Sequence, residues 1–279
     1  LAAPSGAKIS DIAWSEVVSV IPGAAQEEVA RVIADYDLLA VPVVSESGHV
    51  MGVVTVDDVI DAIQEEQTED VQKFGGLEAL EEPYMASDFG AMVRKRAGWL
   101  SILLVGEMFT STIVQVFNVE LAKVAALIVF IPLVMSSGGN SGSQATSLIT
   151  RAMALREVEL SDWWRVMLRE LPSGLALGAI LGAIGIFRVF LWQWMFDHHI
   201  WPGYDYNPHS GLIALVVGFS LLGIVTFGSL AGSMLPFLLR RVGFDPATAS
   251  APLVATLVDV SGLTIYLVVA WLVLHGTLL

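Results

Sequence analysis

Pro252-Leu-Val-Ala-Thr-Leu-Val-Asp259-Val-Ser-Gly262 lies inside an apolar run from about Ala247 to Leu274. A run of that length is enough to cross a bilayer as a helix. Its one carboxylate has no counter-charge near it in sequence. An acid at bilayer depth costs roughly 2.5–3.5 kcal/mol, so such residues serve an ion, a proton or a buried partner. For Asp259 the purely structural partner is Arg188, a basic residue within another apolar stretch. Pro252, Thr256 and Gly262 add a helix-disturbing ring, a hydroxyl and a site for close helix packing.

Working outward, the 279 residues are 55% hydrophobic with a mean hydropathy of +0.69, the composition of an integral membrane protein. Five stretches are long enough to span, roughly 98–117, 121–146, 172–195, 210–238 and 247–275. Basic residues in short loops set the orientation. Arg94, Lys95 and Arg96 precede the first span; Arg151, Arg156, Arg165 and Arg169 lie between the second and third; Arg240 and Arg241 lie between the fourth and fifth. All nine fall on one side of a five-span protein. The other side has Lys123 and the Trp-, Tyr- and His-rich segment 192–209, an interfacial belt. The expected product is a multi-pass protein of the cell (inner) membrane, its N-terminal part cytoplasmic and its C-terminus external.

Three further polar features sit at bilayer depth. Ser136-Ser-Gly-Gly-Asn-Ser-Gly-Ser-Gln144 ends the second stretch. Gly138, Gly139, Asn140 and Gln144 suit two different uses. One is close helix packing with amides bonded across the interface. The other is a local break whose carbonyls face water. Glu107 in the first span suits a proton or ion ligand, or a hydrogen bond to a neighbouring helix. Arg188 sits near the outer interface, where its long stem can snorkel.

Charge divides the chain. Residues 1–90 hold eighteen Asp and Glu against three Lys and Arg, a net of −15; residues 91–279 are near neutral at +1. An acidic surface repels nucleic acid and attracts cations. There is no cysteine, which excludes disulfides and thiolate metal sites. No nucleophile–base set, phosphate loop or zinc spacing appears, so an enzyme is not expected. The chain starts at Leu1, and we expect a natural N-terminus further upstream.

The acidic part alternates periods. Residues 24–36 carry Val29, Val32, Ile33 and Tyr36 at helical spacing; 39–44 and 50–55 read as strands about a Glu46-Ser-Gly48 turn; 56–67 returns to helical spacing. Asp37-Leu-Leu-Ala-Val-Pro-Val-Val44 with Gly52-Val-Val-Thr55-Val-Asp57-Asp58 resembles the second half of a cystathionine-β-synthase (CBS) motif, over about residues 8–66. That resemblance implies an adenine nucleotide such as ATP, its ribose held by Thr55 and Asp58. The same pair also suits a capping box with Thr55 as N-cap and Asp58 at N3, which needs no ligand. A partner motif is absent apart from a possible end in residues 1–10.

Asp58, Asp61, Glu65, Glu66, Glu69 and Asp70 then follow, several as like-charge i,i+4 pairs that cost about 0.2–0.5 kcal/mol each without a counter-ion. They read either as a solvated face or as carboxylates sharing a divalent cation whose loss would let them repel. A second helical stretch, 71–90, is expected to carry this run to the membrane.

Two motifs now combine. Pro132-Leu-Val-Met-Ser-Ser-Gly-Gly-Asn-Ser-Gly-Ser-Gln144, with Arg151-Ala-x-Ala and Ala255-Thr256-x-x-Asp259-x-x-Gly262, resembles the MgtE magnesium transport family from about residue 8 to the end. The resemblance implies a homodimeric Mg²⁺ channel, five spans per subunit, with the pore on the two-fold axis and closure at high cytosolic Mg²⁺. The implied fold is an all-α polytopic membrane domain (94–279), preceded by a partial α/β CBS motif (1–67) and a connecting plug helix (68–93). The family's N-terminal domain and most of its first CBS motif are expected to be missing.

Hydrated Mg²⁺ keeps most of its waters and takes few protein oxygens. Asp259 from each subunit, with Thr256 and the Ala255 carbonyl, is the expected pore site; Gly138, Gly139, Asn140, Gln144 and Glu107 are expected to line the pore. Divalent cations, membrane lipid and a second copy are the expected partners, with no nucleic acid. The competing readings are a divalent-cation transporter coupled to H⁺ or Na⁺ and a membrane-anchored nucleotide sensor.

Overall fold

The computed structural model describes Lys8 and residues 17–279, apart from 81, 204 and 279. The suggested remnant of a first CBS motif in residues 1–10 lies, Lys8 apart, outside the described residues. Two compact units divide the chain, residues 1–69 and residues 70–279.

In the first unit, α1 (Gln26–Asp35) precedes an antiparallel pair, β1 (Ala40–Val44) and β2 (Val50–Thr55), and then the start of α2 (Val56–Phe74). The register runs from Ala40 opposite Thr55 to Val44 opposite Val50. Val20 adds a parallel bridge to Val43 on the other edge of β1. Helical spacing on α1 and α2 turns Val29, Ile33 and Val59 onto Val20 and Val41, which form the core. The CBS-like order of helix, strand, turn, strand, helix is present as the sequence implies.

Five helices of the second unit are long and apolar enough to cross a membrane. They are α3 (Phe89–Val116), α5 (Ala126–Ala154), α6 (Trp163–Asp197), α7 (Ser210–Arg241) and α8 (Ala251–Leu274); a short α4 (Asn118–Lys123) joins α3 to α5. The third expected span starts nine residues early, because α6 extends past Pro172 to the interfacial Trp163 and Trp164. Helix α7 is central and packs on α6, α5 and α8, while α3 packs chiefly on α8. A buried cluster from Phe130, Val134, Ile224, Val258 and Leu263 joins α5, α7 and α8, and the Tyr266 hydroxyl donates to the Leu127 carbonyl at 2.8 Å.

Lipid offers no hydrophobic drive for helix association, so close packing must supply it. Gly174, Gly178, Gly182 and Gly185 repeat along one face of α6 and let the backbone of α7 at Gly218, Leu222 and Thr226 approach. Gly138 and Gly142 of α5 meet Gly228 and Gly232 of α7 in the same way.

The connecting helix expected over 68–93 is replaced by a turn. Helix α2 stops at Phe74 and α3 begins at Phe89. Gly76, at φ +76°, closes α2: its N–H donates to the Lys73 carbonyl and Leu77 N–H to the Gln72 carbonyl. This is the Schellman pattern that a left-handed glycine permits. Alanine there would meet the Trp99 indole on α3 and Pro252 on α8, so the turn sits tight against the third turn of α3 and the first turn of α8. A Lys73–Asp245 ion pair of 2.7 Å and a hydrogen bond from Lys95 Nζ to the Ala79 carbonyl hold it there.

Candidate functional site

Helix α8 begins with Ser250 as N-cap, whose Oγ accepts from Leu253 N–H and from Trp99 Nε1. Pro252 stands in the first turn, where its missing N–H costs nothing. From this fixed start, Pro252, Ala255, Thr256 and Asp259 fall on one face by the 3.6 period, all part-buried. Helix α3 presses on that face at its own glycine: a Cβ on Gly106 would lie 2.6 Å from Thr256 Cγ2. The next residue is Glu107. Its carboxyl is near enough to Asp259 for the two acids to interact electrostatically.

The pairing of Asp259 with Arg188 does not form. The Arg188 guanidinium lies between the Phe130 and Trp192 rings, 4.9 and 4.6 Å from their centroids, and Nη1 donates to the Tyr206 hydroxyl at 3.2 Å. Aromatic faces and a hydroxyl satisfy the cation locally, which leaves Asp259 to the other carboxyl. Sequence gave no signal for the Asp259–Glu107 contact, since the two residues lie on different helices and neither motif contains both.

Helix α5 runs unbroken from Ala126 to Ala154. The alternative of a local break at Ser136–Gln144 is therefore corrected. Thr146 and Ser137 hydroxyls back-bond into the helix, and Gly138 and Gly142 are consumed in packing. Gly138 faces Ile224 and Val258, not an open surface. Gly139 lies against α8, where a Cβ would stand 3.7 Å from Ala255 Cα, and Ser143 Oγ donates to the Ala251 carbonyl at 3.4 Å. Beside this seam, Ser136, Asn140 and Gln144 are exposed at i, i+4, i+8. A polar stripe uncovered by the chain's other helices thus flanks the Ala255–Asp259 face.

In a continuous helix the Ala255 carbonyl already takes the N–H four residues on, leaving one lone pair for any ligand. Two carboxyls, a threonine hydroxyl and that lone pair are what one chain offers. Among the described residues no three His, Cys, Asp or Glu side chains cluster as a metal site.

The acidic run lies on α2. Asp61 and Glu65 are exposed; Glu66, Glu69 and Asp70 are part-buried and each has an interaction of its own. At the head of the helix Asp58 Oδ2 accepts from the Thr55 hydroxyl at 2.6 Å and the Thr55 N–H at 3.2 Å. The second of these bonds is the half of a capping box in which the N3 carboxylate reaches back to the N-cap N–H, and the pair engages both residues that the resemblance assigns to a nucleotide ribose.

The Thr55 hydroxyl, then its N–H, hold the Asp58 carboxyl below its ordinary value of 3.8. A folded-state value below the unfolded one gives stabilisation that is present above 3.8 and lost as pH falls through the lowered value. Asp58→Ala is therefore expected to speed hydrogen exchange in the first turn of α2 at neutral pH, read by mass spectrometry. Wild type and variant should converge in acid; a gap that persists there would assign the effect to packing.

Residues 131–269 match the family model described as MgtE, divalent cation transporter, and residues 9–65 match the CBS domain. The chain is 44% identical over 269 residues to the magnesium transporter MgtE of Thermus thermophilus, covering 96% of this chain and 56% of that protein. It is 35% identical over 265 residues to the Enterococcus faecalis protein of the same name, covering 94% and 54%. For the Bacillus subtilis protein, also so named, the figures are 32% over 271 residues, 96% and 56%. The chain spans just over half the length of these relatives.

Proposed function

Residues 131–269 belong to the MgtE family of divalent cation transporters, and from that premise we propose that the chain is the pore-forming part of a Mg²⁺-selective channel. Two copies form the conduit on a two-fold axis, N-terminal parts in the cytoplasm and C-termini outside. One observation carries this reading. The Ser136, Asn140 and Gln144 stripe is exposed along a helix that must lie in lipid, beside a part-buried carboxyl pair. Polar side chains facing hydrocarbon are costly, so the stripe needs water or a second copy against it. A closed two-fold pair satisfies both.

Mg²⁺ then keeps several waters and meets Asp259 of both subunits, with Glu107 and Thr256 in the surrounding shell. Selection rests on charge: two facing carboxylates hold a doubly charged hydrated ion more strongly than a singly charged one. Cytosolic Mg²⁺ bound among Asp58, Asp61, Glu65, Glu66, Glu69 and Asp70 regulates the opening. The Lys73–Asp245 ion pair and the Gly76 turn supply a mechanical connection from the end of α2 to the start of α8.

Because the chain contains no cysteine, single-cysteine variants test the axis cleanly. Asn140→Cys is expected to form a disulfide-linked dimer under mild oxidation, whereas Phe187→Cys, on an exposed face of α6, is not. The same preparation in vesicles holding a Mg²⁺-sensitive dye should admit Mg²⁺. Crosslinking equally from both sites, or a failure to admit Mg²⁺, would contradict the proposal.

A further inference from the structure

At the basic end of the bundle, where α6 starts and α7 ends, a cavity of about 590 Å³ opens between the two helices. Its walls are Trp163, Met167, Met234, Phe237 and Leu238, with Arg241 at the lip. None of these residues belongs to the pore site, and the cavity is independent of it. We propose that this groove binds an anionic phospholipid, with one acyl chain in the cavity and the phosphate on Arg241.

Shape, depth and charge each favour that occupant. The volume falls within the range of roughly 300–1,000 Å³ typical of small-molecule sites, and the lining is apolar except at one end. Two methionines give walls that adapt to a flexible chain. Trp163 and Leu238 are 47% and 57% exposed, so the cavity opens sideways from the bundle towards the surrounding bilayer. Leu168, Leu171 and Leu175 continue exposed along α6, an apolar track for the rest of the chain.

Trp163 stacks edge-on with Trp164 at 5.4 Å, and both start a span, the position of an interfacial belt. A lipid with its chain beside Met234 therefore places its headgroup level with Arg241. Among the described residues no carboxylate pairs with Arg241, the one arginine of the lining. Asp162, at the start of α6, is already bonded to Arg165 at 3.2 Å. Basic pockets between spans at the cytoplasmic face suit anionic headgroups, each arginine contributing about 1 kcal/mol, or about fivefold in affinity. Zwitterionic lipid lacks that net charge.

The test uses the intact chain in phosphatidylcholine vesicles doped with a low fraction of lipid brominated on its acyl chains, which quenches nearby indoles. Brominated phosphatidylglycerol is expected to quench more than brominated phosphatidylcholine at equal fraction, with about a fivefold preference in apparent binding. The excess should shrink in Trp163→Phe, which removes the indole that lines the cavity while Trp164 beside it stays, and should vanish in Arg241→Gln. It should largely survive Arg240→Gln, outside the cavity lining. Equal quenching by the two lipids in the unaltered chain would overturn the proposal without any variant. So would an excess that persists in Arg241→Gln, or one that falls equally in both arginine variants, which would mark general surface attraction.

Discussion

Asp259→Asn is expected to lower Mg²⁺ entry into vesicles by at least tenfold while leaving the thermal unfolding of the protein nearly unchanged. The asparagine keeps the shape and loses the charge. A carboxylate and a dication about 4 Å apart attract by about 2 kcal/mol even at the dielectric constant of water, and by more in a narrow pore. Losing that term costs about thirtyfold in occupancy for one subunit, and two subunits lose it together. The fold should survive, because Asp259 makes no ion pair with Arg188, which is held by Phe130, Trp192 and Tyr206.

Glu107→Gln is the informative companion. Its carboxyl neighbours Asp259, yet it comes from α3, which packs chiefly on α8. A smaller loss than that of Asp259→Asn would place Glu107 in the outer shell, whereas an equal loss would make the two carboxyls one site. Unchanged Mg²⁺ entry in Asp259→Asn would remove the ion-binding role and favour a structural carboxyl pair. A strong dependence of flux on an opposing H⁺ gradient, lost in the same variant, would favour the coupled transporter.

Local periodicity carried the reading of the fold a long way. The five apolar runs and the strand pair at 40–55 announce themselves by length and alternation, and these are properties that a bilayer or a small sheet imposes locally. Less legible was whatever depended on another helix. Residues 71–90 have turns of plausible helical spacing, but α2 ends in a left-handed turn at Gly76, where Trp99 and Pro252 leave no room for a Cβ. Ser136–Gln144 looked equally suited to a break or to packing, and the deciding factor is Gly228 and Gly232 on α7, some ninety residues away. Glu107 and Asp259 were each visible as costly intramembrane acids. Their meeting depends on Gly106 fitting over Thr256, which no spacing within either helix encodes.

The packing half of that distinction yields the largest expected effect on stability. Gly232→Ala is expected to lower the unfolding free energy by about 2–4 kcal/mol, read by thermal or detergent-titrated unfolding in micelles. An added Cβ would overlap the Gly142 carbonyl oxygen, which is backbone and cannot rotate away. Relief requires α5 and α7 to separate. Separation lengthens the bonds that cross the seam: Thr146 Oγ1 to the Gly232 carbonyl at 2.8 Å and Ser141 Oγ to Ser229 Oγ at 2.7 Å. Overpacking typically costs 1–3 kcal/mol, and interhelical hydrogen bonds in membranes average about 0.6 kcal/mol each. Gly98→Ala is the control. It stands in α3 with nothing within 4 Å of an added Cβ, so the helix should gain up to about 1 kcal/mol from lost unfolded-state freedom. Opposite signs for one chemical change on two helices would attribute the effect to the crossing. Equal stability of Gly232→Ala and wild type would mean that the α5–α7 seam is looser than its geometry requires.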